Sequence, residues 1–316
     1  MHRYILRRLI LNIPVILAVT LAVFLSMRMI PGDILMSLLA DTGRLPEQDM
    51  ARMRQQLGID RPIHEQYFTW MSGLARGDMG KSLWTQNPVR DELGKRLPVT
   101  AELAVLALVF ALILAIPIGV ISATRQDTWA DYVGRLFAIG GLSMPDFWLA
   151  TITVVFLAIW FKWMPPLGFV PLFEDPLKNL QQVIFPAVIL GVRLSATTMR
   201  MTRSTMLEVL RQDYIRTAWS KGLRERMVIY RHALKNALIP VITIVGGQLS
   251  GLLGGTVIME QVFVLNGVGR LTLDSIIKRD YTQVQGNILF MALVIVTMNL
   301  IVDITYAWLD PRIRYD

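Results

Sequence analysis

No cysteine occurs anywhere in the 316 residues, which excludes disulfides, thiolate metal sites and cysteine nucleophiles. Histidine is nearly as scarce: His2, His64 and His232 are scattered and form no metal cluster, so no metal site is expected. Charge is sparse too, at 18% of residues against 53% hydrophobic, with a mean hydropathy of +0.47. That balance places the chain among membrane proteins. A net charge of +8 with a pI of about 9.9 would suggest nucleic-acid binding in a soluble protein. Here the excess Lys and Arg carried by short cytoplasmic loops accounts for it, and no nucleic-acid partner is expected. Also missing are an internal repeat, a low-complexity tract and a Gly-x-x-x-x-Gly-Lys-Ser/Thr loop, so the chain is not expected to bind ATP.

What the chain does have is long apolar runs. A hydrocarbon core about 30 Å thick takes roughly 20 apolar residues per helix. Leu9–Met27 meets that length and follows Arg3, Arg7 and Arg8. It exceeds the apolar core of a signal peptide and lacks an Ala-x-Ala site before Pro31, so an uncleaved first span starting in the cytoplasm is expected. Further spans are Val99–Thr124, about Val133 to Phe161, about Val183 to Met199, Ala237–Met259 and Val284–Trp308. The fourth is interrupted by Arg193 and has Pro186 near its start. Six spans without a second copy argue for half of a pore rather than a whole one.

An inside amino terminus and six spans put both termini and the loop between spans four and five in the cytoplasm. From Arg200 to Asn236 that loop holds nine basic residues against the acidic Glu208, Asp213 and Glu225, as the charge rule requires. Pro31–Leu97 is balanced, with nine of each sign, and would lie outside. It reads as folded: Pro46 can open a helix that Gly58 closes, Pro62 a second running towards Gly73, with turns at Gly77–Gly80 and Gln86–Pro88. The expected organisation is therefore a first helix over 1–30, an extracytoplasmic insertion over 31–97, a transmembrane core over 98–308 and a cytoplasmic tail over 309–316. The insertion could be a contact surface or a lid.

Within the cytoplasmic loop, 207–240, Leu207, Leu210, Tyr214 and Ala218 recur at helical spacing beside Ile215 and Trp219. Gly222 follows where a left-handed cap would stop the helix, and a second helix is expected over about Arg224 to Leu238. Periodicity alone leaves two readings open: a helix lying among anionic headgroups, or one seated in the groove of a cytosolic partner.

Arg216-Thr217-Ala218 stands four residues ahead of Gly222, and the segment resembles the EAA loop of permease subunits in bacterial ABC importers. It departs from that pattern in lacking a glutamate at 216 and in having Lys235, not proline, after Leu234. Those departures match the dipeptide, oligopeptide and nickel permeases. So do Tyr4-Ile-Leu-Arg7-Arg8 with Ile30-Pro-Gly-Asp33, Leu57-Gly-Ile-Asp-Arg-Pro62, Arg76-Gly-Asp-Met-Gly80-Lys-Ser and Arg96-Leu-Pro-Val-Thr-Ala-Glu102-Leu. Ser143-Met-Pro-Asp-Phe-Trp148, Asn266-Gly-Val-Gly269-Arg and Leu309-Asp-Pro-Arg312 extend the resemblance over essentially the whole chain.

The resemblance implies an all-α polytopic fold of the type I importer permease class, in a bacterial inner membrane. It implies a second homologous permease subunit, two cytoplasmic ATPase subunits that bind ATP and Mg, and an extracytoplasmic solute-binding protein. The helix around Asp213 to Gly222 would be the coupling helix, with Leu210, Asp213, Tyr214, Arg216, Thr217, Ala218, Lys221 and Gly222 contacting the ATPase. Its apolar stripe would fill the cleft, with Arg216 and Lys221 at the rim. No catalytic residue and no cofactor of its own is expected.

Ionisable groups inside spans are costly and often line a pathway, and Asp146 and Arg193 are the deepest candidates. The bland alternative is an interhelical pair. Met144 and Pro145 adjoin Asp146, and Pro145 can kink span three. Glu102 and Asp303 lie nearer the interfaces. Gly246, Gly247, Gly251, Gly254 and Gly255 suit a packing surface, which could turn span five towards a sister subunit. The 17 methionines, among them Met199, Met201 and Met206, read as adaptable filler. A stand-alone proton-coupled transporter would rest on Asp146 and Asp303 alone, and an intramembrane enzyme built on Ser143, Ser195 or Asp146 would lack a histidine. The resemblance implies that the solute is a small peptide, a dipeptide or oligopeptide, or a related solute; the alternative is nickel or a metal chelate, and nickel would have to arrive carried or chelated because the three histidines form no cluster.

Overall fold

The computed structural model describes residues 2–29 and 60–309. Among these, the elements are α1 (His2–Met29), α2 (Ile63–Ala75), α3 (Val89–Thr124), α4 (Trp129–Ser143), α5 (Asp146–Phe161) and α6 (Pro176–Leu210). There follow α7 (Asp213–Ser220), α8 (Glu225–Met227), a π-helical segment (Val228–Ala233) and α9 (Leu234–Gly255). Last come α10 (Val257–Val262), α11 (Val268–Ile277) and α12 (Tyr281–Leu309). The architecture is all-α; an isolated bridge joins Lys81 and Pro88. Five helical segments are long and apolar enough to cross a bilayer, and six if α4 and α5, bent by 93° at their junction, make one span. The helix expected over Pro46–Gly58 lies outside the described residues, as does the tail beyond Leu309. The one expected after Pro62 is α2, and positive φ angles at Gly77, Gly80 and Gln86 make the turns that follow it.

The fourth span, with an arginine and a proline in it, forms one continuous 35-residue helix. Asp175 caps it by accepting from the Lys178 amide at 3.1 Å, and Pro176 occupies the first turn, where its missing N–H costs nothing. At 1.5 Å per residue α6 is about 52 Å long, well beyond the hydrocarbon thickness, so it projects past the membrane and carries α7 clear of it.

Packing centres on α3 against α6. Every fourth residue of α3 is small: Ala107, Ala111, Ala115 and Gly119, with the three alanines fully buried. A Cβ at Gly191 of α6 would lie 2.9 Å from the Ala107 carbonyl oxygen and 2.7 Å from Phe110. One at Gly119 would lie 2.7 Å from Thr202 and 3.0 Å from the Met199 carbonyl. The two backbones therefore nearly touch at both ends of the seam. Lipid supplies no hydrophobic drive between helices, so this close packing is the main source of their association.

The glycines of α9 divide. Gly246 meets α12, where a Cβ would fall 2.0 Å from Val302, whereas Gly247 and Gly251 face open space. At one end of the seam Asp131 of α4, fully buried, accepts from Ser122 of α3, from Arg135, and from Arg203 of α6 through Nε at 2.8 Å and Nη2 at 2.9 Å. Three helices are pinned there by one carboxylate with two guanidinium partners.

Gly191→Ala should lower the thermal unfolding midpoint of the purified protein, at a cost of about 1–3 kcal/mol from overpacking against a backbone carbonyl. Gly247→Ala, also in a helix but facing open space, should leave the midpoint unchanged or raise it. Equal midpoints for the two variants would contradict the seam.

Candidate functional site

Two places combine charge, exposure and unusual backbone. The first is α7. It does not continue α6: the chain breaks at Arg211–Gln212 and restarts at Asp213, so the stripe from Leu207 to Ala218 belongs to two helices with different phase. The stripe also divides, with Ala218 facing the chain's own spans and Tyr214 exposed, so only part of it is free to meet a partner. Ile215 and Ala218 are buried in a cluster with Val120, Ala123, Met206, Val228, Ala233 and Ala237, and half-buried Leu207 and Leu210 pack against that cluster. The apolar side of α7 thus seats the helix on the ends of its own α3, α6 and α9. What remains exposed is Asp213, Tyr214, Arg216, Thr217, Trp219, Ser220, Lys221 and Gly222.

The end of α7 has the expected glycine. Gly222 has φ +72, its amide donates to the Trp219 carbonyl at 2.9 Å, and the Leu223 amide reaches the Ala218 carbonyl at 3.4 Å. This is the Schellman pattern, completed by an apolar contact as Leu223 packs against the cluster that holds Ala218. A Cβ at Gly222 would meet nothing within 4 Å, so its requirement is conformational and its surroundings are open. Tyr214 ties α7 to the next span: its hydroxyl accepts from Asn236 Nδ2 at 2.8 Å and lies 3.5 Å from the His232 carbonyl. His232 belongs to the π-helical segment, a backbone form that concentrates at functional sites. Arg216 meets Asp213 at 3.4 Å, but both are so exposed that the pair contributes little stability.

The second place is the junction of α4 and α5. Pro145 does more than kink the span; the helix stops at Ser143 and restarts at Asp146 with the axis turned by 93°. Met144, in extended conformation, and Pro145 form the break, and Pro145 O accepts the first amides of α5 from Trp148 and Leu149, both at 3.1 Å. Asp146 pairs with Arg193 of α6, Oδ2 to Nη1 at 2.5 Å. The two deep charges named from sequence are thus each other's partner. The pair is lopsided: the Asp146 side chain is 12% exposed and its Oδ1 is buried with no donor, while Arg193 is 59% exposed. An arginine so uncovered within a span is costly against lipid, which favours a water-lined cavity or a neighbouring subunit around it. Glu102 is half-buried, with Oε1 also lacking a donor.

Sequence reasoning missed Asp131 and Glu260. The Asp131–Arg135 spacing of one helical turn was a legible signal for a pair, but the third member, Arg203, comes from a distant segment. Glu260, fully buried, accepts from Thr100 at 2.8 Å, Thr256 at 2.6 Å and the Arg270 amide at 2.7 Å. It explains the Asn266-Gly-Val-Gly269 motif, because a Cβ at Gly267 would lie 2.3 Å from the Glu260 carboxyl carbon.

Residues 115–315 match the family described as binding-protein-dependent transport system inner membrane component, and residues 1–104 match its N-terminal counterpart. A Brucella abortus protein named for a peptide transport system permease is 42% identical over 316 residues, covering 100% of both chains. The dipeptide transport system permease proteins DppB of Alkalihalophilus pseudofirmus and Escherichia coli K12 are 39% and 38% identical. Each alignment covers 100% of this chain, with 100% and 99% of the respective relative. Among solved structures, an inward-facing MetNI methionine ABC transporter contains a chain with TM-score 0.54 at 16% identity, over 69% of this chain and 96% of that one. At that identity the likeness concerns the fold.

A double-mutant cycle tests the Asp146–Arg193 pair. Asp146→Asn and Arg193→Gln should each lower the unfolding midpoint, and the double variant should recover about 1–2 kcal/mol of the summed loss, a value moderated by the exposure of Arg193. Strict additivity would show that the two side chains do not act together.

Proposed function

The chain belongs to the family of binding-protein-dependent transport system inner membrane components, and from that premise we propose that it forms half of the pore of an ATP-driven importer of small peptides. The peptide assignment is supported by full-length similarity to permeases named for peptides and dipeptides. Nickel is not favoured, since the relatives compared here carry peptide names, and a stand-alone proton-coupled carrier gives way to a multi-component system. The other half of the pore would be a homologous permease. ATP and Mg would be bound by two cytoplasmic ATPase subunits, and a solute-binding protein would deliver the peptide from the opposite side. Both termini would face the cytoplasm, as would α7.

The observation that carries the coupling role is the two-sided character of α7. Its Ile215 and Ala218 side is rooted in the ends of three spans, while its Asp213, Arg216, Thr217, Ser220 and Lys221 side is exposed. Seated in an ATPase groove, such a helix transmits displacement inward through packed side chains and through Tyr214 to Asn236 at the foot of α9. The groove would therefore meet a polar face edged by Tyr214 and Trp219, rather than an apolar stripe. Alternating access then follows from ATP binding and hydrolysis moving paired α7 helices together and apart.

For the path itself, the exposed Arg193 guanidinium beside the broken span would be the group a peptide meets, with Asp146 holding it in place. Interrupted helices at such depth are a recurrent way to present charge to a solute.

Gly222→Val should abolish ATP-dependent uptake of a labelled dipeptide in vesicles carrying the complete transporter, with normal membrane insertion. A β-branched residue at positive φ costs more than the roughly 1–2 kcal/mol of an ordinary residue and projects into the open space in front of α7. Gly222→Asn, which tolerates that conformation, should retain most uptake. Undiminished transport by Gly222→Val would refute coupling through α7.

A further inference from the structure

At the end of α1 a group of hydrogen-bond donors lacks acceptors. Arg28 Nη2 donates to Gln66 of α2 at 2.9 Å and its guanidinium carbon lies 4.1 Å from the Phe24 ring centroid, but Nη1 is buried without an acceptor. Trp70 Nε1 and Gln285 Nε2 are also buried and unpaired. Four side-chain nitrogen donors are in this state among the described residues, the fourth being Arg135 Nε. Three of the four therefore belong to residues around a single cavity of about 210 Å³, which Phe24, Arg28, Arg61, Gln66, Trp70 and Gln285 bound with two threonines. Among the described residues, its walls include two arginines and no carboxylate. Buried donors without acceptors are expensive, so their concentration around a space whose described walls carry two guanidiniums suits an anionic acceptor.

The position indicates the source of that anion. The apolar stretch of α1 ends at Met29 and α12 begins at Tyr281, so the cavity lies at the level where two spans leave the hydrocarbon. Helix α2 has no buried residue, and it exposes Ile63 at 53% and Phe68 at 68%. Its Tyr67 meets Phe24 edge to face and its Trp70 stacks on the same ring, with centroids at 5.3 and 6.0 Å. Aromatic rings grouped at a span end and an apolar edge on a short flanking helix are features of a segment lying in the headgroup layer. We propose that this cavity binds a phosphate oxyanion, and that its source is the headgroup of a membrane phospholipid. Arg28 and Arg61 would supply charge-assisted bonds while Trp70 and Gln285 supply the neutral donors. A bound headgroup would fasten α1 and α2 to the start of α12, through a surface separate from α7 and from the Asp146–Arg193 pair.

The test uses the full-length protein purified from membranes with its partner subunits. Organic phosphorus and native mass spectrometry should detect phospholipid that survives detergent exchange in the wild type. In delipidated protein, dioleoylphosphatidylglycerol should raise the unfolding midpoint, with inorganic phosphate at the same concentration having no effect. Arg28→Gln and Trp70→Phe, the latter keeping the ring and losing only the N–H, should each weaken lipid retention, Arg28→Gln by about tenfold or more. The proposal is overturned if wild type retains no more phospholipid than the two variants. It is equally overturned if inorganic phosphate stabilises the protein as well as the lipid does, which would make the site one for free phosphate.

Discussion

Close approach of α3 and α6 is the constraint from which the rest of the structure follows. In a bilayer the solvent is as apolar as the side chains, so two helices are held by contact alone and contact is greatest where side chains are smallest. Ala107, Ala111, Ala115 and Gly119 on one helix and Gly191 on the other bring the backbones within a methyl group of touching. Three further spans join this pair: α4 by the Asp131 clamp, α5 by the Asp146–Arg193 pair, and α9 through Gln248, which accepts from Thr198 and donates to the Leu194 carbonyl, both at 3.2 Å.

The seating of α7 is the second consequence of this packing. A helix attached by a slack loop moves independently of the spans, whereas Ile215 and Ala218 sit among residues of α3, α6 and α9 and join α7 to three spans at once. Regular helix is interrupted elsewhere: in the π-helical segment at the foot of α9, and in the break at Met144–Pro145. A rigid pair flanked by an interrupted span and an irregular helix start suits a molecule that must open at one side of a membrane while closing at the other.

Much of this was legible in the chain. The spans were readable because burial in hydrocarbon demands uninterrupted apolar length, a local property. Gly222 was readable because a helix that must end in a left-handed residue selects glycine, also local. The stripe from Leu207 to Ala218 was misread because its break at Arg211–Gln212 carries neither proline nor glycine, and because apolar periodicity does not say which body, the chain's own or a partner's, covers the apolar face. The α3 seam escaped notice for a related reason: alanine every fourth residue looks like ordinary helix composition until a neighbouring backbone is found against it.

The sequence by itself determined which stretches are apolar enough to cross a bilayer, how the basic loop is biased and where α7 ends, because each depends on residues close to one another in the chain. Only the tertiary structure decided that Asp146 pairs with Arg193 across 47 residues, that Arg203 completes the Asp131 clamp across 72, and that Arg28 ends at a cavity shared with α2 and α12. Those outcomes rest on which helix faces which. That choice is made by the fit of small residues summed along whole helices, so no short stretch of sequence contains it.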